Sequence, residues 1–177
     1  MLQRLNIPFS CRSPEIDESP LAGEAPEQQV LRLAEAKAAK IAENEPDAII
    51  IGSDQLAVLN GGILGKPGNH ENASRQLRAM SGHCVEFLTA LCLLNTASGN
   101  RQLACVRDQV HFRNLSDQQI ERYLNSEQPY QCAGSFKSEA LGITLIEKID
   151  GPDPTALIGL PLIKLTEMLA NENYNIL

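Results

Sequence analysis

The segment Gly52-Ser53-Asp54-Gln55 carries the clearest candidate for chemistry in this chain, because it follows the apolar run Ala48-Ile49-Ile50-Ile51. A continuous β-branched run predicts a strand buried on both faces, and ligands in α/β sheets collect just beyond strand C-termini. Asp54 would bring a carboxylate to that rim, where it could act as a general base. An aspartate that caps its own turn is the alternative, and spacing alone does not separate the two.

Three other segments carry charges or rings that suit a nucleotide. The acidic loop Glu15-Ile16-Asp17-Glu18 offers oxygen ligands for Mg²⁺ or Mn²⁺, although a solvated loop explains the same residues. Gly65-Lys66-Pro67 puts a cation on a constrained loop, which is also a common surface turn. Ser135-Phe136-Lys137-Ser138-Glu139 combines an aromatic ring that can stack on a base with a carboxylate for a guanine edge, and a plain loop fits it equally well. By its position in an Ala-rich helix, Lys37 faces solvent.

Composition excludes several classes of function. With 15 Lys and Arg against 22 Asp and Glu, the 177 residues have a net charge of −7, which disfavours binding to polymeric nucleic acid. No apolar run approaches the ~20 residues of a membrane span. Five cysteines without a CxxC pair indicate reduced thiols, and we expect a cytoplasmic protein. Neither a GxxxxGK[ST] loop nor a GxGxxG motif occurs.

The elements that must position these residues alternate along the chain, which predicts an α/β fold with a mixed sheet. Helices are expected from Glu27 to near Pro46, from His70 to Met80, from Asp117 to Ser126 and after Pro161. The helix at Asp117 follows a capping box of Ser116 and Gln119. Strands are expected at Ala48–Ile51, Val85–Asn95, Leu103–Phe112, Ala133–Phe136 and Ile143–Ile149, with hairpin turns at Gly61-Gly62 and Ala97–Asn100.

Taken in order, these segments resemble the Maf family of nucleotide pyrophosphatases. The matching motifs are Pro14-Glu15-Ile16-Asp17-Glu18, Arg32-Leu33-Ala34-Glu35-Ala36-Lys37-Ala38, Ile51-Gly52-Ser53-Asp54-Gln55, Gly65-Lys66-Pro67, Met80-Ser81-Gly82, Val110-His111-Phe112-Arg113, Cys132-Ala133-Gly134 and Gly159-Leu160-Pro161-Leu162. The segment Ser135–Glu139 resembles the branch that hydrolyses 7-methyl-GTP, whereas the dTTP/UTP branch carries a different, Gln-containing segment. The resemblance implies an elongated mixed sheet flanked by helices, often in a homodimer, and a cytoplasmic enzyme that needs a divalent metal, Mg²⁺ or Mn²⁺.

The resemblance also implies roles for individual residues. It makes Asp54 the proton acceptor for water that attacks the α-phosphorus of a nucleoside triphosphate, and Glu18, with Asp54, a metal-linked carboxylate. Lys37 and Lys66 match phosphate-binding lysines, which reverses the solvent-facing interpretation of Lys37. Gln55 and Glu139 match positions that set base specificity. The expected reaction converts 7-methyl-GTP to 7-methyl-GMP and diphosphate, which would keep a modified nucleotide out of nucleic acids.

One departure from the family concerns the beginning of the chain. Family members start with a strand and a Ser-x-Ser-Pro-x-Arg-Arg segment ahead of a helix whose end Met1–Leu5 already matches. We therefore expect residues 1–177 to form a single Maf-like domain without that strand. The alternatives to the 7-methyl-GTP activity are a catalytically impaired nucleotide-binding protein and a dTTP/UTP pyrophosphatase.

Overall fold

The computed structural model describes residues 1–177. The chain folds into four α-helices and five β-strands, joined by turns and short 3₁₀ helices. The helices are α1 (Pro26–Ala42), α2 (His70–Met80), α3 (Asp117–Glu127) and α4 (Leu162–Asn171). The strands are β1 (Ile49–Leu59), β2 (Gly62–Leu64), β3 (Cys84–Asn95), β4 (Arg101–Phe112) and β5 (Ile146–Asp150). None of the helices combines the length and the apolar character that crossing a membrane requires.

Local sequence signals explain where the helices begin. Pro26 occupies the first turn of α1, where its missing N–H costs nothing. The Asn69 side chain accepts a hydrogen bond from the Asn72 N–H at the start of α2. Ser116 and Gln119 form the predicted capping box of α3, in which each side chain bonds the backbone of the other residue. The predicted helices are therefore confirmed, although α1 ends at Ala42, ahead of Pro46.

The strands form one sheet in the order β2-β1-β3-β4-β5, which confirms the α/β class. Its pairing is antiparallel, whereas the sequence predicted a mixed sheet. The two predicted hairpins account for much of this difference, because a tight turn can join only antiparallel neighbours. One hairpin joins β1 to β2, with Leu59 opposite Gly62, and the other joins β3 to β4, where Asn95 N–H bonds the Asn100 carbonyl.

Two predicted strands differ in the structure. Ala133–Ser135 is a 3₁₀ turn in which Gly134 and Ser135 have φ of 62° and 57°, so the strand expected at Ala133–Phe136 is wrong. Left-handed backbone at two successive residues cannot continue a β-ladder. The strand expected from Ile143 begins only at Ile146, because a second 3₁₀ turn occupies Leu141–Leu145.

The chain divides into two compact units, each with its own apolar core. The first comprises residues 1–54, 89–106 and 153–177, and the second comprises residues 55–88 and 107–152. In the first unit the buried stripe of α4 packs with two residues of β3, as the sequence predicted for that helix; the cluster is Leu91, Leu93, Leu162, Leu165, Met168 and Leu169. In the second unit the Phe136 ring lies 5.7 Å from that of Phe87 and 5.2 Å from that of Phe112.

Candidate functional site

Asp54 lies within a long strand, not just beyond the end of a short one. The sequence predicted that the strand stops at Ile51, but β1 continues to Leu59 and buries a second apolar stretch of three consecutive residues, Leu56-Ala57-Val58. Gly52 interrupts the apolar run for a different reason. A Cβ atom there would lie 2.3 Å from the Ala34 carbonyl oxygen and 2.9 Å from the Ala38 nitrogen. The glycine therefore allows α1 to approach β1 closely.

That close approach places Lys37 of α1 against Asp54 of β1. Lys37 Nζ lies 2.6 Å from Asp54 Oδ1 and 2.9 Å from Glu18 Oε1. The Asp54 side chain is 11% exposed, that of Lys37 20% and that of Glu18 44%. The structure thus brings together three of the predicted site residues. The solvent-facing interpretation of Lys37 is wrong, because the spacing of residues along a helix does not show which strand or loop packs against it.

The charge of Lys37 is stabilised by its two partners. Burial disfavours the ammonium form, but the hydrogen bonds and the charges of Asp54 and Glu18 outweigh that penalty, so the pKa of Lys37 is raised. The ammonium group in turn offsets the repulsion between two carboxylates that approach the same point. The cluster therefore holds two carboxylates close together, each with an oxygen within 3 Å of the Lys37 ammonium nitrogen.

The acidic loop reaches this point because Arg32 fixes it to α1. Arg32 Nε donates to Glu24 Oε1 at 2.6 Å, and Nη2 donates to Glu24 Oε2 at 2.7 Å and to the Ser19 carbonyl at 3.1 Å. This bidentate pair raises the pKa of Arg32 and lowers that of Glu24. Sequence reasoning missed both residues. The available signal was the position of Arg32, five residues before Lys37 on the same helix.

Glu18 and Asp54 are also the residues that could hold a metal ion. Mg²⁺ commonly binds one or two carboxylates and completes its shell with water and substrate phosphates. Two carboxylates within 3 Å of one ammonium nitrogen match that donor chemistry. No three His, Cys, Asp or Glu side chains form a candidate metal cluster. Glu18 and Asp54 therefore fit a divalent cation whose other ligands are water molecules and phosphate oxygens.

Ser53, next to Asp54, is a further residue that sequence reasoning missed. Its hydroxyl lies 2.7 Å from the Ala90 carbonyl oxygen and 2.8 Å from that of Gly159. Gly159 opens the motif that precedes α4. The hydroxyl group therefore lies between β3 and that motif, and its single proton can be donated to either carbonyl oxygen, within the same compact unit.

Gln55, Lys66 and Glu139 belong to the second compact unit. Gln55 lies in β1, and Lys66 and Glu139 are exposed in the connections after β2 and before β5. Gln76 of α2 links the two connections, because its amide nitrogen donates to the Gly65 carbonyl at 3.0 Å and its amide oxygen accepts from Ser135 Oγ at 2.6 Å. One α2 side chain, unnoticed in the sequence, thus joins the loops that carry two predicted site residues.

Comparison with known proteins identifies the family. The family described as "Maf-like protein" matches residues 1–172. A 7-methyl-GTP pyrophosphatase of Methylobacillus flagellatus is 56% identical over 177 residues, which is 100% of this chain and 92% of the relative. Its namesake from Nitrosococcus oceani is 55% identical over 177 residues, covering 100% and 89% of the two chains. A third, from Nitrosospira multiformis, is 56% identical over 176 residues, covering 99% and 89%. The chain therefore belongs to the Maf-like protein family.

Proposed function

We propose that this protein is a nucleoside triphosphate pyrophosphatase that converts 7-methyl-GTP to 7-methyl-GMP and diphosphate. The choice of substrate is supported by three relatives named 7-methyl-GTP pyrophosphatase, each 55–56% identical over nearly the whole chain. The observation that carries the chemistry is the convergence of Asp54 and Glu18 on Lys37. In phosphoryl transfer, positioned charges and one proton acceptor supply most of the catalysis.

In the proposed reaction Asp54 accepts a proton from a water molecule that attacks the α-phosphorus. A P–O bond forms as the bond between the α-phosphorus and the bridging oxygen breaks, and diphosphate leaves with that oxygen and its electron pair. The ammonium group 2.6 Å from Asp54 favours the ionised carboxylate that a proton acceptor needs. A general base of this kind contributes roughly 10²–10⁴-fold to the rate.

Charge neutralisation falls to the lysines and a divalent cation. Lys37 and Lys66 would contact phosphate oxygens as charge develops on them. Glu18 and Asp54 would hold Mg²⁺ or Mn²⁺, which neutralises phosphate charge when bound. Lys37 already keeps the two carboxylates together. The free-energy cost of rearranging these side chains is therefore smaller when substrate and metal bind.

The methylated base would be selected by Gln55 and Glu139. Methylation at N7 gives the guanine ring a positive charge, which a carboxylate such as that of Glu139 attracts. Removing this nucleotide would keep it out of nucleic acids. We place the protein in the cytoplasm, in keeping with five free cysteines.

The test is diphosphate release from 7-methyl-GTP, with Mg²⁺ or Mn²⁺, by the wild type and the isosteric variant Asp54→Asn. We expect kcat to fall about 10²–10⁴-fold in the variant. Asp47→Asn is the matched control, since Asp47 is exposed and its left-handed backbone suits asparagine. Equal activity of Asp54→Asn and wild type would reject Asp54 as the base. Faster turnover of dTTP or UTP than of 7-methyl-GTP would favour the other substrate branch.

A further inference from the structure

The residue proposed to select the base, Glu139, lies at the tip of a tight turn. Ala140 N–H bonds the Lys137 carbonyl at 3.3 Å and closes the turn over Ser138 and Glu139. Glu139 is exposed, whereas Phe136 before the turn and Leu145 after it are buried. A carboxylate at an exposed tip has no packing of its own to fix its direction. Its position therefore depends on whatever holds the two ends of the turn.

Glu127, the last residue of α3, holds both ends. Lys137 Nζ donates to the Glu127 carbonyl at 2.8 Å and lies 3.7 Å from its carboxylate Oε2. The Leu141 N–H donates to Glu127 Oε1 at 3.1 Å. The Glu127 side chain is only 19% exposed. One residue thus accepts hydrogen bonds from both sides of the turn, two residues before Glu139 and two residues after it.

Neighbouring residues make the base of the turn rigid. The Tyr123 hydroxyl, one helical turn before Glu127, donates to the Ser135 carbonyl at 3.1 Å and accepts from the Lys137 N–H at 3.0 Å. The phenol has one proton to donate and lone pairs that accept, so it can do both, and burial raises its pKa further above neutral pH. A Cβ atom at Gly142 would lie 2.3 Å from the Lys137 carbonyl oxygen, so the backbone on the two sides of the turn is in direct contact.

We propose that Glu127 is a positioning residue for base selection, which fixes the turn that presents Glu139 to a cationic purine. In this arrangement Lys137 acts on the turn through Glu127 and does not bind the triphosphate. This inference rests on the proposed function, and it extends that function to a residue of α3 whose contacts are with the two sides of the turn. From the sequence alone, Lys137 is one member of a segment that combines an aromatic ring, a cation and a carboxylate.

The experiment compares kcat/KM for 7-methyl-GTP with kcat/KM for GTP in wild type, Glu127→Ala and Glu127→Gln. We expect Glu127→Ala to lower the ratio of the two constants about tenfold, with the value for GTP changed less than about twofold. Glu127→Gln keeps an oxygen for the Leu141 N–H and should restore most of the ratio. Glu71→Ala is the control, because the side chain of Glu71 is 90% exposed on α2.

A double-mutant cycle tests the role given to Lys137. Lys137 Nζ donates to the Glu127 main-chain carbonyl, which Glu127→Ala keeps, and it also lies 3.7 Å from the carboxylate. If Lys137 acts through that carboxylate, Lys137→Met should lower the ratio less in the Glu127→Ala background than in the wild type. If the double variant lowers the ratio by the product of the two separate effects, that role is overturned. Amide hydrogen exchange over residues 137–142 should accelerate in Glu127→Ala, which reports the turn without reference to activity.

Three outcomes separate this inference from the function on which it rests. A wild type inactive on 7-methyl-GTP contradicts the proposed function itself. A wild type that is active, together with an unchanged ratio in a folded Glu127→Ala, overturns only the role of Glu127, as does an equal loss on both substrates. Should Glu127→Ala not fold, Lys137→Met takes its place, and an unchanged ratio in that variant overturns the inference.

Discussion

Lys37 is the side chain on which the candidate site depends. It lies within 3 Å of an oxygen of Asp54 and of Glu18, and its pKa is raised although burial opposes its charge. Without it, the two carboxylates would lose the ammonium group that lies within 3 Å of both. A single lysine therefore stabilises the cluster, and in the proposed function it also supplies positive charge to a phosphate group.

Replacing Lys37 by Met tests that dual role. We expect kcat/KM for 7-methyl-GTP to fall about 100-fold, and the free energy of unfolding to fall by about 1–2 kcal/mol, below the 3–5 kcal/mol of fully buried pairs because Glu18 is half-exposed. Activity assays and urea unfolding measure the two effects. Lys40→Met is the control one turn along α1, where the exposed pair with Glu43 should contribute nothing measurable. Equal effects of the two variants would contradict the role of Lys37.

At the scale of secondary-structure elements, the site is an effect of packing between α1, β1 and the loop before α1. The helix meets the strand at Gly52, where no side chain fits, and Arg32 fastens the loop by three hydrogen bonds. These contacts bring residues 18, 37 and 54 to one place. Changes at Gly52 or Arg32 should therefore reach the site without altering any residue in it.

Gly52→Ala should destabilise the first compact unit by about 1–3 kcal/mol, the usual cost of overpacking a dense core. The added methyl group would meet backbone atoms of α1, which cannot rotate away as a side chain would. Thermal and urea unfolding measure the loss. Gly65→Ala serves as the comparison for stability alone, since nothing lies within 4 Å of its Cβ position. Similar stability of the two variants would show that α1 is not tightly packed at Gly52.

Arg32→Met should release the acidic loop while α1 remains folded. Loss of the bonds to Glu24 and Ser19 should speed cleavage of residues 15–24 by a glutamate-specific protease about tenfold, because cleavage follows local opening. Mass spectrometry of the early fragments measures this rate. Arg75→Met, which removes an exposed arginine from α2, should leave the cleavage unchanged. Unaltered cleavage in Arg32→Met would show that other contacts hold the loop.

At the scale of the whole molecule, proton binding couples the fold to pH. Burial, with a contribution from Glu35, raises the pKa of Cys92 to about 11, while Arg101 lowers it. The folded thiol therefore keeps its proton over a range where an unfolded thiol, with a pKa of about 8.5, loses it. The raised pKa of Lys37 acts in the same direction at still higher pH, since its stabilising charge is complete below about 10.4 and is lost as pH rises through the folded value.

The free energy of unfolding should accordingly fall as pH rises from about 8.5 to about 11, where the unfolded state binds fewer protons than the folded state. Urea unfolding at a series of pH values measures the slope. Cys92→Ala should flatten the slope in this range, even though the smaller side chain lowers stability at every pH. An identical slope in wild type and variant would exclude Cys92 as a source of the pH dependence.

Much of the fold could be predicted from the sequence because its signals are local. Helices α2 and α3 follow their caps, and the apolar stripe of α4 packs as its spacing indicated. The strand expected at Ala133–Phe136 failed because left-handed backbone at Gly134 and Ser135 depends on surroundings that a four-residue pattern does not contain. The sequence does not predict the extent of β1, because Gly52 looks like the end of a strand, whereas the glycine makes room for the helix that packs against it.

Motif order along the chain was enough to place this protein in its family and to name Asp54, Glu18, Lys37, Lys66, Gln55 and Glu139, because those residues are recognised by type and order. Tertiary structure alone decided that Glu18, Lys37 and Asp54 meet, and that Arg32, Ser53, Gln76 and Glu127 hold the segments around the predicted residues. The physical reason is distance. Contacts between residues far apart in sequence depend on how helices and strands pack, and no local pattern of residues records that.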